Sequence, residues 1–197
     1  MKNDPAPMNG SQLFGVLYGS QFKFDKEKMP AEIDALREKL MKEYEEGEKP
    51  ERKKRILLTG CPSSGAPMKV VKAIEEHGGN VVVYENCGGA KSVDRLIDED
   101  AEDIYKAIAE RYLAIGCSVM TPDNNRIELM GRLLEEYNIE GVVEMTLQAC
   151  HTYNIEAKSI EKFVKSKGLP YIHVETDYSQ ADIGQLDTRI AAFLEMI

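Results

Sequence analysis

The chain has 197 residues and a formal net charge of −9, which is enough length for one buried core and a small appendage. The negative charge argues against a nucleic-acid-binding surface, because such a surface needs a basic face to release counterions. No apolar stretch reaches the length of a membrane span, and residues 1–7 lack the apolar core of a signal peptide. We therefore expect a cytoplasmic protein that binds neither nucleic acid nor membrane.

The first predicted segment, residues 1–50, is a helical extension. A short apolar patch lies at residues 13–18, and a helix opens at Pro30, a favoured first-turn position. Its apolar face recurs at helical spacing and consists of Ile33, Leu36, Leu40 and Tyr44. We interpret this segment as a lead-in or linker that packs on another part of the protein.

The second segment, residues 51–197, alternates between strands and helices. The predicted strands are 56–58, 81–84, 142–145 and 171–174. Helices are predicted between them, and a last helix is predicted to start at Ser179 with Asp182 as its capping partner. This alternation predicts an α/β fold, a flavodoxin-like, doubly wound, four-stranded parallel sheet of order 2-1-3-4.

Four cysteines are spread along the chain, at Cys61, Cys87, Cys117 and Cys150. We expect them to be reduced in the cytosol. No Cys-x-x-Cys pair exists, which excludes a zinc ribbon or a self-contained ferredoxin motif. A bound metal would therefore need ligands that converge from separate loops.

The predicted topology ranks these cysteines by position. Ligand sites in such sheets lie at the carboxyl ends of the strands, where the strand order reverses, here between strands 1 and 3. Cys150 follows strand 3 and Cys61 follows strand 1, so Cys150 is the first candidate and Cys61 the second. A helix amino terminus after Cys150 favours the thiolate, the form that binds metal. The alternative is that Cys150 is simply a small core hydrophobe.

Other polar groups near this edge have weaker patterns. The turn Ser63-Ser64-Gly65 can offer backbone N–H groups to a phosphate or carboxylate, but it matches neither a Walker motif nor GxGxxG, and a serine-capped turn is favoured. His151 can orient a cluster or donate a proton, or be merely solvated. A Cys–His hydrolase is disfavoured because no separate base is identifiable. Cys87 lies in a turn, and we expect Cys117 to be buried among apolar neighbours.

Longer motifs carry a family resemblance. They are residues 147–156 (LQACHTYNIE), 174–179 (VETDYS), 184–190 (GQLDTRI), 60–62 (GCP), 85–87 (ENC) and 117–122 (CSVMTP). Together they resemble the D-component of the 2-hydroxyacyl-CoA dehydratase and benzoyl-CoA reductase superfamily, with the greatest similarity to double-cubane-cluster reductases. The resemblance covers nearly the whole chain, but it corresponds only to the carboxyl-terminal half of family members, which are about twice as long.

The resemblance implies an iron–sulfur protein that receives low-potential electrons from an ATP-hydrolysing activator protein. Dehydratase members form a ketyl radical at the thioester carbonyl, and related members reduce small molecules or aromatic thioesters. The cofactor would be a [4Fe–4S] or a double-cubane [8Fe–9S] cluster, and the full-length protein would form a homodimer or heterodimer. The family holds each cluster by three cysteines, one of which matches Cys150.

The two other ligands belong to a domain that this chain does not match. We therefore expect the 197 residues alone to be metal-free and inactive, with Cys150 as their one cluster ligand. Ser63, Ser64, Gly65 and His151 are substrate-side candidates, and the catalytic residues are not assigned. Dehydratase and reductase activities both stay open, as does a non-enzymatic α/β binding module whose cysteines only pack.

Overall fold

The computed structural model describes residues 1–62 and 65–197. The strands are β1 Lys54–Gly60, β2 Gly79–Tyr84, β3 Gly141–Leu147 and β4 Tyr171–Thr176. The helices are α1 Gly10–Gln21, α2 Met29–Glu46, α3 Ala66–Glu76, α4 Ala90–Val93, α5 Ile104–Leu113, α6 Asn124–Glu136, α7 His151–Ser166 and α8 Ile183–Glu195. All strand pairs are parallel, in the order β2-β1-β3-β4. The predicted α/β sheet, its order and the helical extension are confirmed.

The two central strands, β1 and β3, are buried on both faces. Successive side chains of β1 alternate between two apolar clusters, because side chains in a strand point to opposite faces. Ile56 and Leu58 pack with α3 and α8 on one face. Leu57 packs with α6 and α7 on the other. This double burial explains why both strands are runs of apolar residues rather than alternating ones.

The amino-terminal extension contains a helix that the apolar patch did not predict. Asn9 and Gln12 form a capping box that starts α1. This helix packs against β2, and the Tyr84 hydroxyl donates a hydrogen bond to the Gly10 carbonyl oxygen at 2.7 Å. A Cβ at Gly10 would lie 2.7 Å from the Val81 Cβ, so glycine permits the close approach.

The next helix, α2, begins as predicted near Pro30, and its apolar face is covered unevenly. Tyr44 is buried and Leu36 and Leu40 are partly buried, whereas Ile33 is 41% exposed. None of the helices in the described part of the chain is long and apolar enough to cross a bilayer.

The last helix begins at Ile183, so its predicted start at Ser179 is wrong. The Ser179 N–H donates instead to the Asp177 carboxylate at 2.7 Å, which forms a tight turn. Asp182 is the N-cap residue, but its carboxylate accepts from Lys69 Nζ at 2.6 Å and makes no side-chain cap hydrogen bond. The polar segment is thus held by turn and ion-pair contacts, which the helical pattern does not reveal.

Gly60 is the last residue of β1 and precedes Cys61. Replacing Gly60 tests how closely the backbones of β1 and β3 approach each other. Its φ is +107°, and a Cβ there would lie 2.0 Å from the Met145 carbonyl oxygen. We expect Gly60→Ala to lower the free energy of unfolding by roughly 3 kcal/mol or more, because backbone strain and the clash add. Gly168→Ala is the control, since its φ is +75° in open space, and should cost only about 1–2 kcal/mol. Urea denaturation measures both, and equal losses would contradict this packing.

Candidate functional site

The loops after β1 and β3 lie side by side at the carboxyl edge of the sheet. Gly60 pairs with Met145, and the Cys61 N–H donates to the Met145 carbonyl oxygen at 2.8 Å. The Leu147 N–H donates to Cys61 Sγ at 3.3 Å, and the Leu147 carbonyl oxygen accepts from the Cys150 N–H at 3.0 Å. Leu147 therefore holds both cysteines at the point where the strand order reverses.

A strained turn places Cys150 at the start of α7. The hydrogen bond from the Cys150 N–H to Leu147 closes a four-residue turn in which Ala149 has a φ of +62°. A non-glycine residue in this region costs roughly 1–2 kcal/mol. Such strain often accompanies a functional position. The turn makes Cys150 the N-cap residue of the 16-residue helix α7.

The two thiols at this edge lie in different environments. Partial burial would raise the pKa of Cys150, but the Tyr153 N–H and the side chains of Cys61 and Thr152 together hold that pKa below its ordinary value. Burial raises the pKa of Cys61 to about 12; the Leu147 N–H lowers this pKa in part, and the Cys150 side chain raises it by a smaller amount. Cys150 is half-exposed, whereas Cys61 is 3% exposed. Cys150 therefore forms the metal-binding thiolate more readily than Cys61 does.

The other predicted site residues are distributed around Cys150. Ser63 and Ser64 lie outside the described residues. Gly65 is exposed just before α3 and lines a cavity of about 320 Å³ against α8. His151 is exposed as the first residue of α7. Their predicted roles toward a substrate stay predictions.

Three further clefts lie on the described part of the chain. One of about 250 Å³ is lined by Pro62, Cys87 and the rings of Phe14 and Tyr18. A polar one of about 450 Å³ begins at Gln148. The third, of about 270 Å³, includes residues of α6 and α7. Two of these clefts include residues near Cys150 in the sequence, namely Gln148 and Thr152.

The remaining cysteines lie on other loops. Cys87 is exposed after β2. Cys117 is only half-buried, so the expectation that it packs among apolar neighbours is wrong. In the same loop Val119 is 72% exposed, whereas Gly116 is buried. A Cβ at Gly116 would lie 2.6 Å from the backbone nitrogen of Arg126. All four cysteines are free thiols.

An iron–sulfur cluster needs several side-chain ligands that converge on one site. Within residues 1–62 and 65–197, no three side chains of histidine, cysteine, aspartate or glutamate converge as a metal site. The Cys150 thiol fits a single thiolate ligand, because it is reachable and its pKa is lowered. The described residues therefore fit one ligand of a cluster and not a complete site.

A buried ionic network lies beside the cysteines, and the sequence analysis missed it. Arg126 is fully buried and donates to Thr59 Oγ1 at 2.7 Å, to Glu144 at 3.1 Å and to Glu85 at 3.3 Å. It also donates to Glu156 on α7. Burial would lower the pKa of Arg126, but the three carboxylates raise it above the ordinary value. A glutamate inside the apolar strand 142–145 was the signal that could have revealed this network.

Tyr153 connects this network to Cys150. Its ring centroid lies 5.2 Å from Arg126 Cζ and 5.5 Å from Lys91 Nζ. Lys91 is buried, and its ammonium lies 3.3 Å from Glu85 Oε1. The Tyr153 backbone N–H in turn lowers the pKa of the Cys150 thiol. Two buried cations thus contact the ring of Tyr153, a residue in the first turn of the helix that begins after Cys150.

Asp123 lies beside this network, and its carboxyl group has a raised pKa. Burial raises the pKa of Asp123 to about 6; the backbone N–H of Arg126 lowers this pKa in part, and the neighbouring Glu156 raises it. Asp123 Oδ2 is buried without a donor. When Asp123 is protonated, below a pH of about 6, its carboxyl group can donate to the neighbouring Glu156.

Removing the guanidinium tests the network. We expect Arg126→Met to cost about 3–5 kcal/mol in unfolding free energy, because it leaves buried carboxylates without their cation. Arg132→Met on the same helix is the control, since Arg132 pairs with Asp94 at the surface and should contribute less than about 1 kcal/mol. Urea denaturation at neutral pH gives both values. Similar losses for the two variants would show that the network is energetically unimportant.

Asp123→Asn tests the raised pKa of Asp123 through the pH dependence of the unfolding free energy. The folded-state pKa of Asp123, about 6, exceeds its unfolded value of about 3.9, so its stabilising contribution is full at low pH and is lost as pH rises through about 6. Asparagine stays neutral and can still accept from the Arg126 N–H. The stability advantage of the variant should grow between pH 4 and pH 6 and then level off.

The matched control for this pH series is Asp103→Asn, at the exposed N-cap of α5, where the same change should give no such rise. Denaturant titrations at each pH measure the difference from the unmodified protein. If the difference in unfolding free energy between Asp123→Asn and the unmodified protein does not change with pH, the raised pKa of Asp123 is refuted.

The sequence of this chain is similar to those of known proteins. The family described as "2-hydroxyglutaryl-CoA dehydratase, D-component" matches residues 1–197. YjiM of Escherichia coli (strain K12), which bears the provisional name of a dehydratase subunit, is 48% identical over 195 residues, 98% of this chain and 51% of the relative. One of the subunits of benzoyl-CoA reductase from Thauera aromatica is 23% identical over 77% of this chain and 36% of its own length.

A further relative, the beta subunit of (R)-2-hydroxyglutaryl-CoA dehydratase from Acidaminococcus fermentans, is 25% identical over 50% of this chain and 27% of its own length. The chain thus spans about half the length, or less, of the curated relatives it matches. The match over all 197 residues confirms the resemblance, and the chain belongs to the family of the 2-hydroxyglutaryl-CoA dehydratase D-component.

Proposed function

We propose that this chain supplies one thiolate ligand, Cys150, to an iron–sulfur cluster in a 2-hydroxyacyl-CoA dehydratase-like enzyme of the cytoplasm. The observation that carries the proposal is the half-exposed Cys150 thiol at the switch point of the sheet, in a chain of this family. A bound cluster would supply a low-potential electron for dehydration of a 2-hydroxyacyl-CoA or for a related reduction.

The chain's own residues prepare the thiolate. The Tyr153 N–H and the Thr152 side chain stabilise negative charge on Cys150 Sγ. The turn through Ala149 fixes the position of this atom, and the Arg126–Glu156 ion pair anchors the first turns of α7 to the sheet. His151 and the turn at Ser63, Ser64 and Gly65 are proposed to contact the substrate.

Protein outside these 197 residues is proposed to complete the site. The described residues offer no three-ligand group, and the relatives are named as subunits. We propose that the remaining cluster ligands and a second subunit come from such protein, and that an ATP-dependent activator delivers the electron. The isolated chain would then be inactive, and its substrate in the assembly would be an acyl-CoA or a related small molecule.

The proposal is tested by anaerobic reconstitution with iron and sulfide. The 197-residue chain is mixed with a second protein, which corresponds to the part of a dehydratase relative outside the matched region. Iron and sulfide are then counted per chain. Cys150→Ser should lose most of the bound iron, because one of the cluster's thiolates is removed. Cys87→Ser is the matched control, an exposed thiol on a neighbouring loop, and should retain it.

The outcomes separate the candidate functions. Separate four-iron clusters would favour the dehydratase, and eight iron atoms joined as one cluster on a dimer would favour a double-cubane reductase. Full iron content and activity in Cys150→Ser would instead support a non-enzymatic binding module, whose cysteines only pack.

A further inference from the structure

A row of aromatic rings runs along one side of α1 and ends at the cleft of about 250 Å³. Phe14, Tyr18 and Phe22 follow one another at intervals of four residues, which brings them to the same side of a helix. The Phe14 and Tyr18 rings are stacked, with centroids 5.4 Å apart and an angle of 8° between their planes. The Tyr18 and Phe22 centroids are 4.9 Å apart. The rings therefore form one continuous apolar surface, and its outermost ring, Phe22, is 63% exposed.

The inner end of this row meets the carboxyl edge of the sheet. The Phe14 ring centroid lies 5.7 Å from that of Tyr84, which is buried at the end of β2. Asn86 is buried as well, and its Oδ1 accepts the Gly88 N–H at 3.0 Å. The cleft thus lies between α1 and the segment that follows β2, and Pro62 after β1 also lines it.

The lining of the cleft indicates the kind of ligand that fits. None of the described residues that line it is charged. The buried Asn86 oxygen already accepts the Gly88 N–H, so the aromatic rings offer the main contact surface. An apolar cavity of about 150 Å³ is enough to hold benzene. The cleft, at about 250 Å³, therefore has room for one ring with a short substituent, and an added ring can stack or tilt against the aromatic wall.

We propose that this cleft binds the aromatic ring of an uncharged small molecule or substrate group. The ring packs against Phe14 and Tyr18, and its substituent lies at the rim beside Cys87, an exposed thiol that lines the same cleft. The polar cleft of about 450 Å³ does not suit such a ring, because carboxylates and the Arg189 guanidinium line it. This inference concerns the cleft alone and does not depend on a cluster at Cys150.

The Cys87 thiol reports on the cleft through its rate of alkylation. The metal-free 197-residue chain is treated with N-benzylmaleimide or with N-ethylmaleimide, and trypsin then separates Cys87 in residues 73–91 from Cys150 in residues 133–158. The rate at Cys150 corrects for the intrinsic reactivity of each reagent. We expect the ratio of the Cys87 rate to the Cys150 rate to be at least about fivefold higher for the benzyl reagent, because its ring is buried in the cleft before the thiol reacts. Excess benzyl alcohol should remove this difference, and benzoate, a charged ring of similar size, should compete far less.

Two variants separate binding in the cleft from general reactivity. Tyr18→Ala removes one ring of the wall and should abolish most of the difference between the two reagents at Cys87. Tyr105→Ala is the control, an exposed tyrosine on α5 outside the cleft, and should preserve it. If Tyr18→Ala does not fold, the unmodified chain decides. Equal ratios for the two maleimides, or a difference that benzyl alcohol does not reduce, would overturn the inference, and equal competition by benzoate would overturn the assignment of an uncharged ligand.

Discussion

The buried guanidinium of Arg126 is the interaction on which this carboxyl edge depends. It joins Thr59 at the end of β1, Glu85 after β2, Glu144 on β3 and Glu156 on α7. A buried cation is tolerated only when its hydrogen bonds and charges are matched, and here they are. Because its partners come from three strands and the helix after Cys150, one side chain fixes their relative positions.

This constraint shapes the environment of the thiols. With the start of α7 tied to the sheet through Glu156, the strained turn at Ala149 is held in place, and Cys150 stays at the helix amino terminus. The same packing leaves Cys61 buried directly behind it. A single arrangement thus gives one thiol reachable from outside and one sheltered thiol beside it. The first suits a ligand role.

The sequence predicted the parts of the fold that depend on local patterns. The apolar strands and the alternation with helices were enough for the parallel sheet and its order, and that order placed Cys61 beside Cys150. The helix α1 was missed, because its small and apolar residues have little amphipathic pattern and it is fixed by packing on β2. The start of α8 was placed too early, since Asp177 and Asp182 satisfy backbone and lysine partners that are distant in sequence.

The ionic network could not be predicted, because its members are separated by up to 97 positions, from Thr59 to Glu156, and meet only after folding. Glu144 in an apolar strand indicated a buried carboxylate but not its partner. The environment of Cys150 had the same limit. A turn and a helix start were foreseeable, but the Cys61 contact and the shared bond to Leu147 are properties of the tertiary structure.

The most direct measurement is the alkylation of Cys150 with and without iron in the reconstituted assembly. Iodoacetamide labelling followed by digestion reports Cys150 in peptide 133–158 and the exposed Cys87 in peptide 73–91. The account predicts that iron loading protects Cys150, that chelation of the iron restores its labelling, and that Cys87 is labelled in both states. Equal labelling of Cys150 in the loaded and iron-free protein would contradict it.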